Sequence, residues 1–359
     1  MADLGKIRST KPGSLKWTFG LFIILVLIAI AWLGVKSMAP KPAQDVVNLS
    51  FAAEEPLPIT LPLDDGPHNV MTEWWYYTGQ LKSDTGRTFS YHYTIFAHQT
   101  LATHTIVHAS LLDHDTMQTY QFQDRTPGFQ VNSIGEHFQL GFKPWQMTLL
   151  KTHDLITGEN PEFAFRMKLK NHVPVVLQDE DAILEFKEAG NSYYYSRPRM
   201  PTKGIITLNH VDYEVEGSSW FDHQWGDFRA AVLNWDWFAL QLENGADIML
   251  FALQNADGAE VHVGGTLFQD GETTYLKKTD FTLTPGRTWT SPITKNEYTV
   301  EWHLSIPGHD VELDLIGVKD SSEFDARNTM YSAYWEGPIT IKGTHRGVGF
   351  LEMSKSNLN

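Results

Sequence analysis

Cysteine is absent from this 359-residue chain. That excludes structural disulfides, thiol catalysis and cysteine-ligated metals. Basic residues are scarce: 28 Lys and Arg stand against 43 Asp and Glu, a net charge of −15. Residues 1–40 hold five of those bases (Lys6, Arg8, Lys11, Lys16, Lys36) and one acid, Asp3, so the remainder stands at about −19. A phosphate backbone repels so acidic a chain and no basic stripe compensates, which argues against nucleic-acid binding. Also missing are a G-x-S-x-G nucleophile elbow, a Gly-rich phosphate loop ahead of a helix and, after the N-terminus, any long amphipathic helical pattern.

Charge is missing altogether from Trp17 to Val35, 19 residues dominated by Leu, Ile, Phe and Val. A run of that length crosses a bilayer as a helix, with Trp17 and Trp32 at the interfacial depths. Four bases precede it and place the N-terminus in the cytoplasm, with the rest outside. The reading is a single-pass inner-membrane anchor with the globular part in the periplasm. Cleavage after Ser37-Met38-Ala39 is the rival, opposed by the length of the run and by Pro40. Residues 1–39 are thus a cytoplasmic stub and anchor, and 40–60, with four prolines, a linker.

What is abundant is aromatic: 12 Trp, 13 Tyr and 20 Phe, 13% of the chain. Aromatics favour strands. Asn244-Gly245, Asp257-Gly258 and Asp270-Gly271 recur every 13 residues, and each pair predicts a two-residue hairpin turn. Asp84-Thr85-Gly86 marks a similar turn. Regular hairpins predict an up-and-down meander that closes into a barrel. Along 89–98, Phe89, Tyr91, Tyr93 and Ile95 share one face; Ser90, His92, Thr94, Phe96 and His98 share the other. Parity alone leaves open which face is the lumen.

Two segments crowd indoles around a carboxylate: E-W-W-Y-Y-T-G-Q-L from Glu73 to Leu81, and S-S-W-F-D-H-Q-W-G-D-F from Ser218 to Phe228. A core would use Leu, Ile and Val, which have no polar tips to satisfy. Burial among Trp220, Phe221 and Trp225 would raise the pKa of Asp222 and make it a general acid; the other reading is a structural acceptor. Glu73 is a partner acid, a water-orienting base or a strand end at the solvent rim. His223, next to Asp222, points the other way on a regular strand, toward a second site or a turn. Asp236, opposite the indoles of Trp235 and Trp237, reads as structural. His92, His98, His104, His108 and His114 crowd 23 residues but lack any compact zinc-enzyme spacing.

These two segments, with N-W-D-W-F from Asn234, D-F-T-L from Asp280, W-T-S-P from Trp289, Y-W-E-G-P from Tyr334 and G-V-G-F-L-E-M from Gly347, resemble the lipocalin-like AttH and carotenoid 1,2-hydratase family over about residues 58–353. The resemblance implies an all-β chain of two lipocalin-like antiparallel barrels in tandem, 61–215 and 216–359, with no metal and no cofactor. It implies a hydrophobic ligand, an isoprenoid or other lipid. The activity implied is addition of water to a carbon–carbon double bond, in which Asp222, with Glu73, protonates an alkene. Trp74, Trp75, Tyr76, Trp220, Trp225, Trp235 and Trp237 would face the cation and ligand, beside His108 and His223. The alternative is a lipid carrier or accessory subunit of an ABC-type export system.

Overall fold

Strands with one face to water bury alternate side chains; Phe163–Lys170, for instance, buries every second side chain and exposes most of the others. The central strands, such as Thr72–Ser83 and Thr88–Gln99, are instead buried on both faces. The computed structural model describes residues 59–355, apart from 100–101, 135–136 and 172–173. The expected anchor, Trp17 to Val35, lies outside the described residues. Among those described, no helix is long and apolar enough to cross a membrane.

The first sheet comprises β1 (Thr72–Ser83), β2 (Thr88–Gln99), β3 (Thr103–Asp113), β4 (Gln118–Pro127), β5 (Val131–Ile134), β6 (His137–Phe142), β7 (Trp145–Leu150), β8 (His153–Glu159), β9 (Phe163–Lys170), β10 (Val176–Leu177), β11 (Ile183–Glu185), β12 (Asn191–Leu208) and β13 (Val211–Gly226). Its order is β4-β3-β2-β1-β13-β12-β9-β8-β7-β6-β5, with β10 and β11 also on β12. The second sheet comprises β14 (Leu233–Leu242), β15 (Asp247–Asn255), β16 (Glu260–Gln269), β17 (Glu272–Lys277), β18 (Thr282–Pro285), β21 (Glu301–Ile306), β22 (Val311–Gly317), β23 (Glu323–Phe324), β24 (Tyr334–Gly343) and β25 (Gly347–Ser354). It runs β17-β16-β15-β14-β25-β24-β22-β21-β18; β19 (Thr288–Thr290) and β20 (Glu297–Thr299) pair separately. All the pairings are antiparallel, and each large sheet curls as a half-barrel, the tandem lipocalin-like arrangement expected.

Two details differ from expectation. Residue 215 falls inside β13, so the tryptophan-rich segment from Ser218 closes the first sheet instead of opening the second; the chain passes over between Gly226 and Leu233. The turns differ too. Of the four expected turns, only Asp270-Gly271 is a two-residue hairpin, both residues left-handed at φ 54° and 87°. At Gly86, Gly245 and Gly258 the glycine alone is left-handed, and each loop has three residues, because the closing bond spans one residue more, as from the Leu242 N–H to the Ala246 carbonyl.

The parity question along β2 is resolved. Phe89, Tyr91, Tyr93 and Ile95 pack with Trp75, Trp145, Phe165 and Phe221 in a cluster drawn from across the first sheet, which is therefore the inside of its curl. A separate cluster from β1, β12, β13, β14, β15 and β25 fills the seam between the sheets.

Candidate active site

Since β1 and β13 pair directly, with Glu73 opposite Trp225, Trp75 opposite His223 and Tyr76 opposite Asp222, parity assigns their side chains to two faces. Glu73, Trp75, His223 and Trp225 point inside the first half-barrel. Trp74, Tyr76, Trp220 and Asp222 point into the seam, where Trp235 and Trp237 of β14 meet them. Glu73 and Asp222, expected to act as partners, lie on opposite faces.

At one end of the inner face, Glu73 and His223 are buried, and His68, from the segment ahead of β1, is about one-fifth exposed. Glu73 Oε1 lies 2.7 Å from His68 Nδ1 and 2.9 Å from His223 Nε2, bridging the two imidazoles. Glu73 Oε2 accepts from the His68 backbone N–H at 2.9 Å. The imidazoles are anchored behind: His68 Nε2 is 3.3 Å from Asp64 Oδ1, and His223 Nδ1 is 3.3 Å from the Tyr195 hydroxyl. That hydroxyl donates to Asp65 at 2.5 Å, and Asp65 is ion-paired with buried Arg197. Burial pulls His68 toward neutrality, but its bonds to Glu73 and Asp64 win and raise its pKa above the usual imidazole value. For His223 burial prevails over Glu73 and the pKa falls. Indoles face these groups: Trp225 stacks on His68 at 4.2 Å and 3°, and Trp75 on His223 at 4.7 Å. An acid–base set, aromatic faces and an edge open to water thus meet in one place.

Asp222 has a different environment. Its Oδ1 accepts from the Trp220 indole at 2.7 Å and the Ser196 hydroxyl at 2.5 Å, and its Oδ2 from the Tyr194 hydroxyl at 2.6 Å. Gln178 donates to Ser196, and Trp237 to Tyr194, so both hydroxyl protons point at Asp222. Burial pushes its pKa up to about 7 against the pull of these donors. Next to it, Tyr76 donates to Glu336 at 2.7 Å, and Trp235 to Glu352 at 3.0 Å. Glu336 and Glu352 face each other across β24 and β25. Burial, then repulsion from Glu352, drives Glu336 well above the carboxylate range, and burial raises Glu352 to about 7.

His108 also faces the seam. Its Nδ1 is 2.8 Å from the Tyr334 hydroxyl and its Nε2 2.8 Å from Thr329 Oγ1. Burial holds it well below the imidazole range and takes neighbouring His92 down to about 3. Asp236 carries an ion pair with Lys355 at 3.2 Å.

Sequence reasoning missed His68, Tyr195 and Glu336. His68 precedes the first strand, where periodicity carries no signal; Tyr195 is one of two same-parity tyrosines of S-Y-Y-Y-S that face inward, and Glu336 stands inside the Y-W-E-G-P segment already singled out.

Residues 52–356 match the AttH-like family. Among solved structures, an AttH protein of Nitrosomonas europaea superposes with a TM-score of 0.75 at 25% identity, over 84% of this chain and 98% of that one. Kievitone hydratase of Nectria haematococca superposes with a TM-score of 0.71 at 18% identity, over 83% of this chain and 94% of that one, a likeness of fold. No curated protein matches the chain. With most of its length matched in sequence and the same curled double sheet, this chain is a member of the AttH-like family.

Proposed function

We propose that this protein adds water to a carbon–carbon double bond of an apolar, isoprenoid-like molecule, at the inner-face end of its first half-barrel. One observation carries the reading: a buried glutamate bridges two imidazoles beside indole faces, with one imidazole reaching water. In the reaction, the proton held within the Glu73–imidazole set passes to one alkene carbon, leaving a cation on the other. Trp225 and Trp75, stacked on His68 and His223, make the surroundings of such a cation aromatic. Water adds there and returns its proton to the set, so that acid and base are restored. Kinship in fold with a protein named kievitone hydratase supports the reaction class.

Asp222 takes a different part in this reading. Three donors converge on it and it lies on the face opposite the Glu73–imidazole set, so Asp222 serves the seam and Glu73 carries the acid chemistry.

The test is a single-turnover assay of the purified chain with acyclic isoprenoids bearing isolated trisubstituted double bonds, scoring products one water heavier. Glu73→Gln keeps the shape but not the proton, and turnover should fall at least about 10²-fold. Unchanged turnover in that variant sinks the reading. Tight binding of the isoprenoid without turnover in the parent chain would instead indicate the carrier, or the accessory subunit of an export system.

A further inference from the structure

The three groups that would move the proton also have the composition of a metal site. We propose that His68 Nδ1, Glu73 Oε1 and His223 Nε2 bind one divalent transition ion of the zinc class. All three atoms lie within 4.8 Å of one another, on two imidazoles and one carboxylate, donors that suit zinc or cobalt.

The surroundings are those of ligands held for a metal. Each imidazole offers one nitrogen to the shared centre and is fixed through the other by an oxygen, Asp64 Oδ1 for His68 and the Tyr195 hydroxyl for His223. A carboxylate behind a ligating imidazole sets its orientation and raises its basicity. The Glu73 carboxylate is oriented by the His68 backbone N–H on its second oxygen. Arg197, the cation that could repel an incoming ion, is engaged by Asp65 and Asp154.

Geometry requires only a small adjustment. Zinc at about 2.0–2.1 Å from each donor sets tetrahedral ligands about 3.3 Å apart. The present separations of 2.7 and 2.9 Å are those of hydrogen bonds, so the imidazoles must withdraw by roughly half an ångström when a metal replaces the shared protons. His68, outside the sheet and partly exposed, is free to do so. Three protein ligands leave a fourth position for water. Because an ion would occupy the lone pairs that the proposed hydration uses, Zn²⁺ should inhibit it. That consequence rests on the hydration reading; the binding does not.

The experiment is a Co²⁺ titration of the tag-free full chain after chelator treatment. The expected result is one equivalent bound, with the intense visible bands of four-coordinate cobalt, bleached by Zn²⁺. His68→Ala should abolish the bands while circular dichroism and the melting temperature persist, and Asp64→Asn should weaken binding about 10- to 100-fold. His223→Ala serves as a second variant if it folds; the exposed His68 position keeps the test decisive if it does not. No visible bands, or bands that survive His68→Ala, would overturn the site. Cobalt bound at the triad in a chain that hydrates no alkene supports the metal site and defeats the hydration reading alone. Hydration that continues while the cobalt bands show the triad occupied would move the hydration reading away from the triad and leave the metal site standing.

Discussion

At the scale of single residues, the direction of hydrogen bonds says more about Asp222 than its aromatic neighbours do. Three donors converge on it, and two have their own lone pairs occupied. Asp222→Asn puts an amide N–H where a donor already points. The variant should lose roughly 1–3 kcal/mol, read as a lower urea midpoint at unchanged slope, while isoprenoid affinity stays the same. An unchanged midpoint would return Asp222 to the candidates for proton donor. Glu352 yields a pH prediction. Its folded pKa of about 7 lies above the ordinary 4.5, so the native state holds a proton that the unfolded chain releases. The associated stability is fully present below about pH 4.5 and is lost as pH rises through about 7. His92 and His108, both depressed, act in the opposite sense: they cost stability as pH falls below the ordinary imidazole range. Glu352→Gln should therefore flatten the loss of stability between about pH 5 and pH 8, followed by urea midpoints. A variant with the parent's slope would assign that loss to other acids of the seam.

Among the elements, strands and turns follow local rules with little interference. The alternation along β2 put four aromatic or aliphatic side chains on one face, and that face became the core. The Asp270-Gly271 turn is the cleanest case, since both residues are left-handed and a Cβ at Gly271 would meet open space. Gly271→Ala should therefore cost only the conformational penalty, about 1–2 kcal/mol, seen as a lower melting temperature with native circular dichroism. A neutral substitution would mean that the turn relaxes to another type at no cost. At Gly86, Gly245 and Gly258 the sequence signal located the turn but not its length. Closing bonds between flanking strand residues decide that.

For the whole molecule, the seam between the sheets is a polar layer as well as an apolar one. Tyr76 of the first sheet bonds Glu336 of the second, Trp237 bonds Tyr194, and His108 bonds Tyr334. Buried polar contacts of this kind are costly if left unpaired, so each sheet needs the other in register. Membrane attachment belongs to the same scale. Four bases ahead of 19 uncharged residues lead us to expect the intact chain in the inner-membrane fraction, its globular part digested when protease is added to spheroplasts. A soluble product beginning near Pro40 would show cleavage instead.

Composition and local pattern were enough to determine an all-β chain and the places of its hairpins, and the quoted motifs carried its family likeness. Period-two alternation, turn chemistry and aromatic content act over a few residues and are legible without a fold. Even the opposite orientation of Asp222 and His223 follows from adjacency on a strand. What the fold alone decided is which face is which. Pairing β1 with β13 across some 150 residues set Glu73 beside His223 and Asp222 beside Tyr76. The segment before β1 then brought in His68, and β12 brought in Tyr195. Long-range strand register and the curl of the sheet, which no local window contains, separated the two carboxylates and gave each its neighbours.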